Sequence, residues 1–309
     1  MRIRSALTAL AVAALALAPS ASAARSTETT WHGNQIMMYD AQSAGRFGAG
    51  VTVAVLDSWV DVKHPDFQGR AVPSDCTSGT CVSGQGSDSC THGTHVAGTV
   101  ASSSFGVAPQ AKILAVRVLT PAGDGGECTG KASDVAAGIR WSVSTGANVI
   151  NLSLGPAVAG LSSSSEIPAA VKEAADAGVV VVFSAGNEDL PVAQSYGEDA
   201  LVVAATGPSG KLASYSQHGM GVSVAAPGGE PVGDVCSQAR CVTSLYPGDK
   251  YAVAAGTSMA APHVAGLAAL LLAQQPGRSS ASVRDRIKST ARPVEGGGSG
   301  LVDAKAALG

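Results

Sequence analysis

The chain has 309 residues, 45% of them hydrophobic and only 14% charged, with 20 basic against 23 acidic side chains and a net charge of -3. That apolar share excludes a disordered chain, and the near balance of charge leaves no footprint for nucleic acid or an anionic membrane. Aromatics are scarce at 4% while glycines number 38, so small, closely packed elements must form the core, and the length suits one large domain.

Residues 1–23 carry Arg2 and Arg4, an apolar run from Ala6 to Ala18, then Pro19 and Ala21-Ser22-Ala23. A charged start, a short apolar stretch and an A-x-A site predict a secretory signal peptide cut after Ala23. The run is about 13 residues, against the roughly 20 of a spanning helix. Val264–Leu272 is also short and contains glycine, so no membrane anchor is expected. Six cysteines suit an exported, oxidised chain. Cys76 and Cys81, and likewise Cys236 and Cys241, lie five residues apart, which by elimination leaves Cys90 to bridge Cys128. A free thiol, with Cys90 the first suspect, is the other reading.

The β-branched run from Val51 to Asp57 predicts a buried parallel strand ending at Asp57. Ile113–Leu119, Val149–Leu154, Val179–Phe183 and Leu201–Ala205 read in the same way. Helical stretches are expected at Gly93–Ala101, Ser133–Thr145, Ile167–Ala177 and Ser258–Gln274. The alternation predicts an α/β fold with a parallel sheet, helices on both faces, and functional groups at the carboxyl ends of the strands. Ser162–Ser165 and Gly296–Gly300 read as surface loops, and no repeat or linker divides the chain.

Three stretches can carry chemistry: the strand end at Asp57, Thr91-His92-Gly93-Thr94-His95-Val96-Ala97-Gly98-Thr99, and Gly256-Thr257-Ser258-Met259-Ala260-Ala261-Pro262-His263. A serine hydroxyl is a poor nucleophile until a base takes its proton, and that base needs a carboxylate to hold its tautomer. Asp57, His92 and Ser258 supply the three types. Ser258 stands where a Gly-Thr turn enters an apolar helix, whose N-terminus favours developing negative charge. Ser184-Ala185-Gly186-Asn187 follows a strand, so Asn187 can aim a carboxamide at a forming oxyanion beside the Ser258 N–H.

Zinc hydrolases want histidines four apart with a glutamate between, so the His92/His95 spacing predicts no metal role. His95 and His263 read as packed residues, His64-Pro65 as a turn, Asp61 and Asp124 as solvated charges, and Asn151 as a structural hydrogen bonder.

These motifs resemble those of the subtilisin-type serine proteases (subtilases, peptidase family S8), and within them the proteinase K branch. The Ser258 stretch and the His-Gly-Thr-His run from His92 match the family's motifs, Asn187 corresponds to its oxyanion asparagine, and the order Asp, His, Ser is the family's. The similarity runs from about Gly48 to Ala307. It implies a single three-layer α/β/α peptidase domain over residues 48–309, preceded by a mature N-terminal segment, 24–47. The implied activity is that of a secreted, monomeric endopeptidase acting on proteins or peptides, with Asp57, His92 and Ser258 catalytic. Ser153-Leu154-Gly155 and Ser184-Ala185-Gly186 are implied as walls of a roomy, mainly uncharged first specificity pocket that takes hydrophobic side chains. The segment around Gly130 is implied as a further substrate-binding strand, with Ala132 where the family often has a lid tyrosine. The likeness also supports the Cys90–Cys128 bridge.

Several departures qualify the likeness. Trp59 stands where the family has glycine after its aspartate, which demands a negative φ or strain. A catalytically impaired peptide-binding protein, its cleft obstructed near Trp59, is therefore the alternative. An esterase of the α/β-hydrolase fold would need the order Ser, Asp, His, and after Ser258 only His263 remains. The family's folding prodomain finds no counterpart in the two dozen or so residues between Ala23 and the first strand. Three explanations fit: folding without a prodomain in cis, a chaperone in trans, or a misassigned start. No cofactor and no strong calcium site are expected, beyond weak calcium binding. The loop Ser102–Gly106 is too short for the Bacillus-type site, of which Asp66 matches one ligand, and Ser223 replaces the aspartate of the proteinase K site.

Overall fold

The computed structural model describes residues 16–17, 29–122, 128–154, 158–159, 165–192 and 196–309. A two-residue strand, β1 (Ala16–Leu17), lies within the expected leader and is followed by helices α1 (Trp31–Gln35) and α2 (Met38–Ser43) and strand β2 (Thr52–Asp57). Strands β3 (Ala71–Asp75) and β4 (Val82–Ser83) lead to α3 (His92–Ala101) and β5 (Lys112–Arg117). Short strands β6 (Thr120–Pro121) and β7 (Cys128–Lys131) precede α4 (Ala132–Ser144), β8 (Val149–Leu152) and β9 (Val158–Ala159). Helix α5 (Glu166–Asp176) joins β10 (Val180–Ser184), β11 (Ala200–Thr206) and β12 (Val224–Pro227). The hairpin of β13 (Val242–Tyr246) and β14 (Lys250–Ala254) precedes α6 (Thr257–Gln274), α7 (Ser280–Ser289) and α8 (Ala304–Leu308).

Eight strands form the central sheet in the order β12-β11-β10-β8-β2-β5-β3-β4. All its pairings are parallel except β3 with β4. Successive side chains of a strand point to opposite faces, so a strand covered on both faces must be apolar throughout. Val53 and Val55 accordingly enter one core with Val96 of α3 and Leu267 of α6, while Ala54 and Leu56 enter another with Ile139 of α4 and Val171 of α5. The three-layer, mainly parallel α/β arrangement is the one expected.

Three features differ from the sequence reading. Strand β3 carries Pro73, which argues against a strand, yet it lies next to the short edge strand β4 and still pairs with β5. Helix α6 is 18 residues and apolar enough to cross a membrane by length and composition, longer than the short run expected. Here 78% of it is buried in the protein, where it packs against α3 and the sheet. The segment before β2 is no mere lead-in, because Ile36, Met38 and Ala41 join the core and Trp31 Nε1 donates to the Cys241 carbonyl at 2.9 Å.

All three cysteine pairs form as expected, Cys76–Cys81, Cys90–Cys128 and Cys236–Cys241. Gly155, Asp124 and most of the Ser162–Ser165 stretch lie outside the described residues.

Candidate active site

Asp57 ends β2 and is fully buried, and its carboxylate meets His92 Nδ1 at 2.8 and 3.0 Å. The sequence brings the two together by a close contact. His92 opens α3, and a Cβ placed on the next residue, Gly93, would sit 2.6 Å from the Ser58 carbonyl. Only glycine lets the helix lie against the turn that follows Asp57. Ser58 Oγ then accepts from the Gly93 N–H at 3.0 Å, taking one of the helix's otherwise unpaired donors. Burial pulls the His92 pKa down, but the charge and hydrogen bond of Asp57 more than offset it and leave it above the ordinary 6.5. The imidazole keeps 26% of its side-chain surface open, against none for Asp57.

Ser258 is the second residue of α6. Four residues on, Pro262 lacks the N–H that would bond the Ser258 carbonyl in a regular helix. Ser153 supplies the missing donor, its Oγ reaching the Ser258 carbonyl at 2.8 Å while accepting from Asn151 Nδ2 at 3.0 Å. Asn151, expected to be structural, therefore holds the nucleophile's backbone through Ser153. In this conformation Ser258 Oγ donates to the Ser153 carbonyl at 3.4 Å.

Asn187 follows β10, and its Oδ1 accepts from both the N–H and the hydroxyl of Thr257 at 2.9 Å. With the carbonyl end engaged by Thr257, the carboxamide Nδ2 is left to serve as a donor. A Cβ built on Gly256 would lie 3.5 Å from that Nδ2 and 3.7 Å from the Ser258 N, so both nitrogens border the space a glycine leaves open. Thr257, Ser58 and Pro262 were not singled out from sequence. Pro262 inside a predicted helix was the one available signal.

The two expected pocket walls lie together, since Ser184 Oγ donates to the Leu154 carbonyl at 3.0 Å. Ser153, Leu154 and Ala185 are buried. Gly130 lies in β7, where an added Cβ would be 2.4 Å from the Val118 carbonyl. A carboxylate stands beside the pocket walls. Glu188 accepts from the Asn187 N–H at 3.1 Å and from Gln217, whose amide would be 2.7 Å from a Cβ on Gly186.

The remaining conspicuous residues take the structural roles read from sequence. His95 Nε2 bonds the Val242 carbonyl at 3.1 Å, and His263 bonds both the Met259 carbonyl, at 2.8 Å, and His32, at 3.1 Å. His64 caps a 3-10 turn at Pro65–Phe67. Asp61, expected to be a solvated loop charge, also accepts from the Gly248 N–H at 3.0 Å in an exposed bond. Trp59 is partly exposed, and among the described residues it is not one with positive φ, so it carries no left-handed strain. A calcium ion does not fit at Ser223, whose hydroxyl accepts from the Val202 N–H at 3.0 Å and whose cavity is lined by Arg284 and Lys288. Asp66 has one buried oxygen without a partner, but no group of three His, Cys, Asp or Glu surrounds it among the described residues.

A carboxylate, an imidazole and a hydroxyl borne by a parallel α/β sheet and its helices, with a carboxamide donor beside the hydroxyl, are the equipment of a serine hydrolase. Residues 48–306 match the model of the subtilase family, peptidase S8. The chain is 38% identical to subtilisin Savinase of Lederbergia lenta over 90% of its own length and 97% of that protein's. It is also 38% identical to subtilisin E of Bacillus subtilis strain 168, over 89% of this chain and 70% of that one. A protease from Pseudoalteromonas arctica PAMC 21717 superposes with a TM-score of 0.74 at 32% identity, covering 92% of this chain and 95% of that one. A cold-adapted subtilisin-like serine proteinase superposes with a TM-score of 0.70 at 31% identity, over 83% and 88% of the two chains. The chain belongs to the subtilase family: it is a serine endopeptidase, and its substrates are peptides or proteins.

Proposed function

We propose that Ser258 is the nucleophile, His92 its general base, Asp57 the group that orients His92, and Asn187 with the Ser258 N–H the oxyanion site. In the cycle His92 takes the Ser258 proton as Oγ bonds to the scissile carbonyl carbon. The tetrahedral oxyanion is held by N–H donors from the Asn187 carboxamide and the Ser258 backbone. His92 then gives its proton to the leaving amine as the C–N bond breaks, and water, activated by the same imidazole, releases the acyl group and restores Ser258. The reaction balances without any cofactor. The observation that carries this reading is the 2.8 Å bond between a fully buried Asp57 and His92, on a helix packed against the one bearing Ser258.

We also read the protein as secreted and monomeric after cleavage near Ala23, in keeping with its three disulfides. A preference for hydrophobic side chains on the acyl side of the bond is inferred from the walls at Ser153-Leu154 and Ser184-Ala185-Gly186, with Gly130 bordering the peptide. The proteinase K likeness rests on the motifs and on the Cys90–Cys128 bridge.

The test is a fluorophosphonate probe, read by intact mass beside a Ser258→Ala control. One label per chain, absent in the control, is the expected result. A folded protein that never labels would overturn the assignment and favour the obstructed binding protein, with Trp59→Gly the variant to restore labelling.

A further inference from the structure

Arg284, on α7, is only 7% exposed, and its Nη1 is buried without a hydrogen-bond partner among the described residues. A guanidinium does not lose its proton in a protein, so it cannot escape burial by becoming neutral. Buried charges are therefore found paired. Arg284 lines a cavity of about 370 Å³ together with Lys288, Glu198, Ser223, Ser299 and Gly298. Glu198 is 81% exposed at its side chain and reaches across to Lys288 Nζ at 2.6 Å. The charged lining is thus two cations against one carboxylate, and the only other carboxylate paired with Lys288 among the described residues is that of Asp285, outside the lining, 74% exposed and 3.9 Å away. The cavity lies by Ala200 and Leu201, at the amino end of β11, while Asp57 and Asn187 mark the carboxyl ends of their strands.

We propose that this cavity is an anion site, in which Arg284 and Lys288 bind a small oxyanion presenting two oxygens, a carboxylate or a phosphate. Arginine's planar fork matches such a pair of oxygens, and Lys288 adds a point charge beside it. The Ser223 hydroxyl, whose oxygen already accepts from Val202, keeps its proton free to donate to the ligand. The ligand competes with Glu198 for Lys288. Because the site is remote from the chemistry, it acts on stability, by favouring the folded chain that alone presents it. The inference does not depend on the catalytic roles assigned above.

The test reads the unfolding midpoint of the full chain in a Ser258→Ala background, which removes self-cleavage, at ionic strength held constant with sodium chloride. Inorganic phosphate, N-acetylglycine and N-acetylglycinamide are the three titrants. A saturable rise of about 5 °C or more is expected at a hundredfold excess over Kd with phosphate, with N-acetylglycine or with both, and none with the neutral amide. Phosphate alone marks an inorganic oxyanion site, and N-acetylglycine alone a site for a peptide's terminal carboxylate. Arg284→Met abolishes the rise, Lys288→Gln raises the half-saturating concentration severalfold, and Glu198→Gln lowers it. No saturable rise with either oxyanion, or an equal rise in Arg284→Met, overturns the proposal. Should Arg284→Met fail to fold, the Lys288 and Glu198 variants decide, and unchanged half-saturation in both overturns it as well.

Discussion

At the scale of single residues, the site is set by small groups that leave room and by hydroxyls that pin larger ones. Thr257 holds the Asn187 carbonyl, and the carboxamide nitrogen borders the space beside Gly256. Asn187→Ala removes that nitrogen, together with the two bonds its oxygen accepts from Thr257, and leaves Ser258 and His92 themselves intact, so kcat should fall on the order of 10²–10³ with KM little changed. That magnitude is the one known for the corresponding group in subtilisin, a relative. Steady-state kinetics on a peptide anilide checks it, and an unchanged kcat removes Asn187 from the mechanism. With His92 as the proposed base, activity is expected to have an acid limb. The base must be neutral to take a proton, and Asp57 raises its pKa, so kcat/KM should fall as pH drops through a value above 6.5. A pH–rate profile inflecting below 6.5 contradicts this.

At the scale of elements, β2, β5, β8, β10 and β11 and helices α3 to α6 were legible in the sequence, because each is strongly patterned or lies in an apolar run. Strands β3 and β12 were not: β3 contains Pro73, and β12, Val224-Ala225-Ala226-Pro227, has one β-branched residue and ends in a proline. Helix α7 escaped because its sequence, Ser280–Ser289, is mostly polar and its cap, Ser279, sits in a loop rich in turn residues. The disulfides act at this scale too. Cys90, two residues before His92, is tied to Cys128 in β7 across a sequence separation of 38, whereas the other bridges close separations of five. Chain-entropy bookkeeping gives about 4 kcal/mol for the long loop and about 2 kcal/mol for each short one. Replacing Cys90 and Cys128 by serine should therefore cost roughly twice what replacing Cys76 and Cys81 costs, as read from urea unfolding of inhibited protein. Equal losses would show that native-state strain, not loop length, governs the bridges.

At the scale of the molecule, three imidazoles are sealed inside the core where α1, α3 and α6 meet. Burial is the largest cause pushing His95 down to about 3 and His263 to about 4, and burial followed by the neighbouring histidines holds His32 well below 6.5. Unfolded, all three take a proton near 6.5, so between pH 6 and 5 the unfolded chain binds more protons than the folded one. Stability must then fall as pH falls, on the order of 1 kcal/mol per pH unit for each histidine. His92 works in the opposite sense: its raised pKa adds stability below 6.5 that is lost as pH rises through the folded value. Urea unfolding at pH 6 and pH 5 measures the slope, and His32→Asn should reduce it by about one histidine's share. An unchanged slope would mean that His32 is not held neutral.

The sequence alone determined the α/β alternation and singled out Asp57, His92, Asn187 and Ser258, because these depend on local patterning and on residue types that chemistry leaves little freedom to replace, whereas a free thiol at Cys90 stayed open until the structure paired all six cysteines. Only the tertiary structure decided that Ser153 makes good the bond Pro262 removes, that Asn151 supports it, and that Glu198, Lys288 and Arg284 surround one cavity. Beyond the near neighbours Asn151 and Ser153, and Arg284 and Lys288, those relations join residues tens of positions apart or more, as Ser153 and Ser258 do, through contacts between chain segments that no local pattern records.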